Sequence, residues 1–240
     1  MRPARDRCWV AWGRAGEPRP APRYFRTRLE AEGFIFGLLV GEPGAALVGF
    51  DFAFGYPADA GLPAGRALCA KLDGLIRDEP DGANNRFDVA GILNREIQAA
   101  FGGGFEGPFW AHPAGHAYPH LSPKRPHPFP PRIPNGRLVE RCLGSRGIQS
   151  PWKLFTRGAV GSQTLLGLPA VHRLLTDPGL APRARLWPFE TGWNQAIDTD
   201  AIVIAEVFDK KTKTTSVAVI ERCKDRLRRY DEAAMGRTRT

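Results

Sequence analysis

The sequence lacks the features that define several common classes of protein. No run approaches the roughly 20 apolar residues that span a bilayer, and the first residues lack the charged-then-apolar order of a signal peptide. The four cysteines contain no CxxC pair, which argues against a zinc ribbon or a disulfide framework. Neither G-x-x-x-x-G-K-[ST] nor G-x-G-x-x-G occurs, so both nucleotide fingerprints are missing. We therefore expect a cytoplasmic protein with no membrane contact.

The composition is that of a globular protein with an excess of positive charge. The chain has 240 residues, of which 42% are hydrophobic, and this length predicts a single domain over 1–240 with an insertion at about 58–150. The 34 Lys and Arg residues exceed the 25 Asp and Glu residues, giving a net charge of +9. Such an excess favours nucleic acid or a nucleotide as partner. High Arg with high Ala, Gly and Pro is equally compatible with a GC-rich coding bias.

Local patterns predict an α/β fold with a mixed sheet. A helix is expected from Thr27, its N-cap, to a stop at Gly41, and a Pro169 inside a later helix should kink or divide it. From 102 to 135 the chain is rich in Pro, His and aromatics and should form a long irregular loop. Strands are predicted at 8–13, 23–28, 46–54, 184–191 and 200–208, and the first two should pair antiparallel. Further helices are predicted at 65–78, at 84–101, from 161 onward, and at 215–234.

Three acidic residues interrupt apolar strand patterns and are the leading candidates for chemistry. Asp51 stands within "ALVGFDFAF", which does not alternate and so predicts a fully buried strand. Glu206 repeats the anomaly in "AIVIAEVFD", with Asp209 just beyond it, and Glu190 follows in "LWPFET". Acids from different strands suit a phosphodiesterase that binds Mg²⁺ or Mn²⁺. Each acid could instead pair with an arginine, since an unpaired buried carboxylate costs several kcal/mol.

Other segments offer weaker signals. Ser162 is predicted to cap the helix that it begins, at a Gly-flanked terminus that could receive an anion, and Gln163 could point into a site. His112, His116 and His120 are four residues apart, but Pro113 and Pro119 interrupt a helix there and argue against zinc. A loop that covers a substrate with aromatic side chains is the better interpretation of this segment; its candidates are Phe109, Trp110 and Tyr118.

Six segments occur in this order in a known bacterial family: "LVGFDFAFGYP", "NNRFDVAGILNRE", "GPFW", "PWKLFTRGAVGSQTLLGLPAVHRL", "WPFETG" and "IVIAEVF". The chain resembles this family of uncharacterised proteins, which is grouped with predicted RNase H-like nucleases. The resemblance implies an RNase H-like sheet and places Asp51 and Glu206 in its acidic cluster. Asn85, Arg86, Ser162, Gln163 and Glu190 fall in the other shared blocks, where substrate contacts are expected.

The sequence departs from that family in two places. Relatives open with a strand that ends in an Asp-Trp-Ser-Ala type segment, and we expect that first strand and its aspartate to be missing here, which could leave the protein inactive. After Glu206 relatives continue with an aromatic, a Pro and a Ser, whereas this chain continues into Asp209 and two lysines. Some relatives carry labels tied to molybdopterin or cobalamin biosynthesis. A non-catalytic, nucleotide-binding accessory protein of such a pathway is therefore the alternative.

Overall fold

The computed structural model describes residues 8–14, 16–42, 44–137, 140, 149–156, 158–192 and 200–206. Within these residues it contains a two-stranded hairpin, a three-stranded parallel sheet and four α-helices. The mixed α/β class is confirmed. The sheet is not mixed as predicted, because the antiparallel hairpin and the parallel strands form separate sheets in the described part. The predicted helix at 215–234 lies outside the described residues, and the single domain with an insertion stays a prediction.

The hairpin and the first helix form as their local signals indicate. Strands β1 (Cys8–Val10) and β2 (Arg23–Phe25) pair antiparallel. Helix α1 (Arg28–Val40) begins after Thr27, whose hydroxyl accepts a hydrogen bond from the Glu30 amide at 3.2 Å, and ends at Gly41. A side-chain N-cap satisfies one of the amides that the first turn leaves unbonded.

The parallel sheet joins distant parts of the chain. Strand β3 (Ala46–Phe50) pairs with β5 (Ile202–Glu206), and β5 also pairs with β4 (Ala184–Leu186), so that β5 is central. The prediction that 46–54 is one fully buried strand is wrong. The strand ends at Phe50 and alternates in burial, with Leu47 75% exposed.

Three helices pack a single apolar core. They are α2 (Gly65–Leu75), α3 (Arg86–Ala100) and α4 (Gly161–Thr176), and a short 3₁₀ turn (Ala58–Ala60) precedes α2. Of the two predicted effects of Pro169, division of the helix does not occur, because α4 continues through this residue. Proline costs about 3 kcal/mol inside a helix, and the complete burial of Leu165, Leu168 and Val171 around it offsets that cost.

An arginine on α4 connects three of the helices. The Arg173 guanidinium donates to both oxygens of Glu32 on α1, each at 2.6 Å, and to Asp73 on α2 at 2.5 Å. The side-chain hydrogen bonds with Glu32 are the main reason that the pKa of Arg173 is raised above its ordinary value. This network fixes α1 against the α2 and α4 pair.

Between α3 and α4, the described part of the chain forms an ordered loop without helix or strand up to residue 137, as predicted. Asn94 on α3 is completely buried and holds this loop. Its amide nitrogen donates to the carbonyls of Phe109 (3.0 Å) and His120 (2.7 Å), and its oxygen accepts from the Phe109 amide at 2.9 Å. At Gly91, one turn earlier, a Cβ would lie 2.2 Å from the Pro119 carbonyl oxygen, so the loop requires glycine there.

Candidate functional site

The three acidic candidates follow the carboxyl ends of the three parallel strands. Phe50 and Glu206 are register partners on β3 and β5, so that Asp51 follows β3 next to the last residue of β5. Glu190 lies four residues beyond the end of β4. In parallel α/β sheets this edge is the one at which ligands commonly bind. The structure thus brings the three strand ends to one edge of the sheet.

Asp51 lies in a bend beyond β3 and is exposed, which corrects the prediction of a buried carboxylate. The aromatic residues around it anchor the segment instead. The rings of Phe50, Phe52 and Phe54 contact one another in sequence, with centroids 5.2 and 5.5 Å apart, and Phe54 is 2% exposed. The desolvation cost that made Asp51 anomalous therefore does not arise.

Glu206 and Asp209 are the remaining acidic candidates. The structure gives the backbone position of Glu206, at the end of the central strand. Asp209 lies outside the described residues. Among the described residues no group of three His, Cys, Asp or Glu side chains is arranged to hold a metal ion.

Glu190 forms an ion pair that accounts for both of its oxygens. Its Oε1 accepts from Nε of Arg66 on α2, and its Oε2 accepts from Arg66 Nη2 at 3.0 Å and from the Leu186 amide at 2.8 Å. Arg66 also donates to the carbonyls of Leu175 (3.0 Å) and Ala184 (3.2 Å). Burial opposes ionisation of Glu190, but the hydrogen bonds from Arg66 and Leu186 outweigh it and lower the pKa. These contacts give Glu190 a structural role, and its catalytic role stays a prediction.

Asn85 and Arg86 make structural contacts at the start of α3. The Asn85 side chain accepts from the Arg77 amide at 2.8 Å and donates to the Leu75 carbonyl at 3.0 Å, which fixes the connection from α2. Arg86 donates to the side chain of Asn84 at 2.8 Å, and its guanidinium lies 4.5 Å from the ring centroid of Phe87. These contacts give both residues a structural role, and their contact with a substrate stays a prediction.

The start of α4 differs from the predicted N-cap. Val160 precedes the helix and has no capping side chain, and Ser162, inside the first turn, donates to the Leu154 carbonyl. A Cβ at Gly161 would lie 2.4 Å from the Pro151 carbonyl oxygen, so the preceding loop packs directly on this turn. Gln163 is exposed. Of Ser162 and Gln163, the two substrate contacts predicted here, Gln163 is thus the one whose side chain is exposed to solvent.

The aromatic residues of the loop pack against the core, and their role as a cover over a substrate stays a prediction. Phe109 and Trp152 are completely buried, and Tyr56 stacks on Trp152 with ring centroids 4.8 Å apart. Trp110 and Tyr118 are half-buried against the same core. The Tyr56 hydroxyl is buried and has no hydrogen-bond partner among the described residues, and this burial raises its pKa against the opposing charge of Arg137.

The three histidines of this loop have separate environments. His112 is nearly buried and contacts the Pro113 carbonyl at 3.0 Å, whereas His116 is exposed and stacks on Tyr118. His120 contributes its carbonyl to Asn94. The three residues thus make different contacts, and the absence of a zinc site stays an expectation from the sequence.

The structural roles of Arg66 and Asn94 were not predicted from the sequence. Arg66 is 124 positions from its partner Glu190, and no local pattern connects them. Asn94 did carry a signal, because it is a lone polar residue beside Ala90, Leu93 and Ile97 on the buried face of α3. A buried amide of this kind requires hydrogen-bond partners.

These features define a mixed α/β protein with a candidate site at the carboxyl edge of a parallel sheet. Comparisons with protein-family models, with curated proteins and with solved structures found no match for the chain. None of the described helices is long and apolar enough to cross a bilayer.

Proposed function

We propose that the protein is a cytoplasmic, RNase H-like nuclease or phosphodiesterase that uses Mg²⁺ or Mn²⁺ bound by Asp51 and Glu206. The observation that supports this proposal is the in-register pairing of Phe50 with Glu206, which places the two acids at adjacent strand ends. The cytoplasmic location and the RNase H-like family rest on the sequence.

The residues at this edge fit a hard divalent cation. Carboxylate oxygens are the preferred ligands of Mg²⁺ and Mn²⁺, and Asp51 is exposed to the solvent from which an ion would come. When bound, such an ion supplies an activated water and stabilises the leaving oxygen of a phosphodiester. Asp209 remains a further candidate ligand, whereas Glu190 is committed to Arg66.

The positive net charge of +9 supports the same class of substrate. A polyanion is attracted to such a chain over a distance of about 10 Å at 0.1 M salt, so acids at the sheet edge can act on a phosphodiester that the rest of the protein attracts. The exposed Gln163 at the start of α4 is a candidate for a polar contact to that substrate.

A second candidate is the non-catalytic nucleotide-binding accessory protein, in molybdopterin or cobalamin biosynthesis. It is favoured by the Glu190–Arg66 pair, because an acid expected in the cluster holds an arginine instead. In this case the acids stabilise the fold and the basic surface binds the nucleotide. The biosynthetic pathway itself rests on the resemblance alone.

Calorimetric titration with Mn²⁺ and a nuclease assay on a labelled oligonucleotide test the proposal. Asp51→Asn and Glu206→Gln should each weaken Mn²⁺ binding at least about 10-fold and abolish metal-dependent cleavage. Asp200→Asn is the matched control, since Asp200 is exposed and lies at the amino end of the same central strand. Unchanged Mn²⁺ binding in Asp51→Asn would contradict the proposal. Thermal stabilisation by a nucleotide but not by Mn²⁺ would favour the accessory protein.

A further inference from the structure

The outer face of the β1–β2 hairpin exposes an aromatic pair. Trp9 and Tyr24 are directly opposite each other in the antiparallel register, and their ring centroids are 5.3 Å apart. Trp9 is 65% exposed and Tyr24 is 39% exposed. A cross-strand aromatic pair stabilises a hairpin by about 0.2–1 kcal/mol, which does not require so much of the indole to face water.

The inner face of the hairpin already has its own apolar contacts. Phe25 is 6% exposed and its ring lies 5.1 Å from that of Phe34 on α1, while Trp12 meets Phe34 edge-on at 5.0 Å. Because successive side chains of a strand point to opposite faces, Tyr24 is on the other side from Phe25. The hairpin is therefore anchored to α1 without Trp9 and Tyr24.

An open groove of about 550 Å³ adjoins the Tyr24 side of this aromatic pair. Its lining comprises Arg23, Tyr24, Phe25, Arg26, Glu30 and Phe34. The Arg23 guanidinium lies 4.9 Å from the centroid of Phe25 and 5.0 Å from that of Phe34, so it is held over aromatic rings. Arg23 and Arg26 are both exposed. Two cations and one carboxylate leave the groove with an excess of positive charge.

We propose that the β2 edge of the hairpin binds single-stranded nucleic acid, with Trp9 and Tyr24 on its outer face and Arg23 and Arg26 in the adjoining groove. Exposed aromatic rings give unpaired bases a stacking surface, and the arginines of the groove, which Tyr24 also lines, pair with phosphates. The charge of the groove favours a polyanion over a neutral or basic partner. A duplex buries the faces of its bases and cannot stack on Trp9, so the strand must be single.

This inference is separate from metal chemistry at the sheet edge. Binding is measured in EDTA by fluorescence anisotropy, with the full chain and a fluorescein-labelled 12-nucleotide oligo-dT. A failed nuclease assay would leave this binding intact, and failed binding would leave Mn²⁺ binding at Asp51 intact. The two proposals can therefore be refuted independently.

The variants follow from the geometry. Trp9→Ala should weaken binding about 5-fold or more, since stacking of one base on an aromatic ring is lost. Arg23→Gln should reduce the slope of log K against log salt by about 0.7, which corresponds to one phosphate contact fewer. Glu30→Gln should tighten binding, because it removes the negative charge of the groove. The side-chain oxygen of the glutamine can still accept the hydrogen bond from the backbone amide of Arg26.

Arg95→Gln is the matched charge control. Arg95 is exposed on α3 and belongs to neither the hairpin nor its groove, so this change should alter the affinity less than about 2-fold. Circular dichroism checks each fold. If Trp9→Ala fails to fold, the same binding measurement is made on Trp9→Phe and Arg23→Gln. Trp9→Phe keeps a smaller aromatic ring.

Absence of binding to oligo-dT, at protein concentrations up to 100-fold above that of the labelled strand, would overturn the inference, and so would equal binding of the matching duplex. Wild-type affinity in both Trp9→Ala and Arg23→Gln would overturn it, as would a loss of affinity in Arg95→Gln equal to theirs. Competition by thymidine monophosphate as effective, per nucleotide, as oligo-dT would also overturn it, because the site would then bind a mononucleotide.

Discussion

Replacing Glu190 by glutamine tests whether this carboxylate is a partner of Arg66 or a metal ligand. The carboxylate accepts two hydrogen bonds from Arg66 and one from the Leu186 amide. Glutamine keeps one acceptor, loses the charge and directs an NH₂ group at a cationic donor. The variant should therefore be less stable than the wild type at neutral pH.

The magnitude follows from the exposure of the pair. Hydrogen bonds to charged groups contribute about 1.5–3 kcal/mol when buried, and exposed ion pairs contribute up to about 1 kcal/mol. The side chains of Arg66 and Glu190 are 38% and 26% exposed, which is between these cases. We expect a loss of about 1–2 kcal/mol, or a urea midpoint lower by about 0.4–0.8 M for a slope of about 2.5 kcal/mol/M.

The pH dependence supplies an independent check. The folded state lowers the pKa of Glu190 below its ordinary value of 4.5, so its contribution is complete above that pH. As pH falls below about 4.5 and through the lowered pKa, the carboxylate is protonated and the contribution is lost. The difference between wild type and Glu190→Gln should therefore be constant from pH 6 to 8 and shrink in acid.

Urea unfolding at pH 7 and pH 3 measures this difference, and Mn²⁺ titration is run on the same samples. Glu96→Gln is the control, because the pair of Glu96 with Lys71 on the helix surface is worth at most about 1 kcal/mol. If Glu190→Gln keeps wild-type stability but loses Mn²⁺ affinity 10-fold, Glu190 is a metal ligand and the structural assignment is refuted.

Two further predictions concern the contact between α3 and the long loop. Asn94→Ala removes three buried hydrogen bonds and should destabilise the fold by about 3–4 kcal/mol. Gln98→Ala removes one hydrogen bond to the Phe105 carbonyl and should cost about 1 kcal/mol. Equal urea midpoints for the two variants would contradict this prediction. Gly91→Ala should gain about 1 kcal/mol of helix propensity but lose about 1–3 kcal/mol to the contact with the Pro119 carbonyl, which leaves a net loss of up to about 2 kcal/mol. A Tm above that of the wild type would show that the loop moves away at little cost.

The elements that the sequence predicts well depend on short-range signals. Thr27 and Gly41 mark the ends of α1 because capping involves residues within one turn. The hairpin follows from two short aromatic segments joined by a Pro-rich turn. In both cases the partners of each hydrogen bond lie close together along the chain.

The burial of β3 depends on partners that are remote in sequence, and there the prediction fails. The apolar run from Ala46 continues past the strand, because Phe52 and Phe54 enter the core as part of a loop rather than as part of a strand. Periodicity cannot distinguish these two cases, since both place aromatic residues inside. Asp51 consequently appeared buried when it is exposed.

The edge on which the site lies could be predicted, but the pairing of its side chains could not. Acids that follow different apolar strands indicate the carboxyl edge of a parallel sheet, where Asp51 and Glu206 are found. Whether an acid meets a metal or an arginine depends on which helix passes over it. Arg66 on α2 reaches Glu190 through tertiary packing alone.

The central position of β5 has a consequence for how the protein is made. Ala46 pairs with Ile202, so β3 leaves the ribosome about 150 residues before the strand that it must join. At about 5–20 residues per second, β3 waits roughly 8–30 s with its backbone unpaired to β5. During that interval the segment from Ala46 to Phe50 has no β5 backbone to pair with, so the parallel sheet can close only late in synthesis.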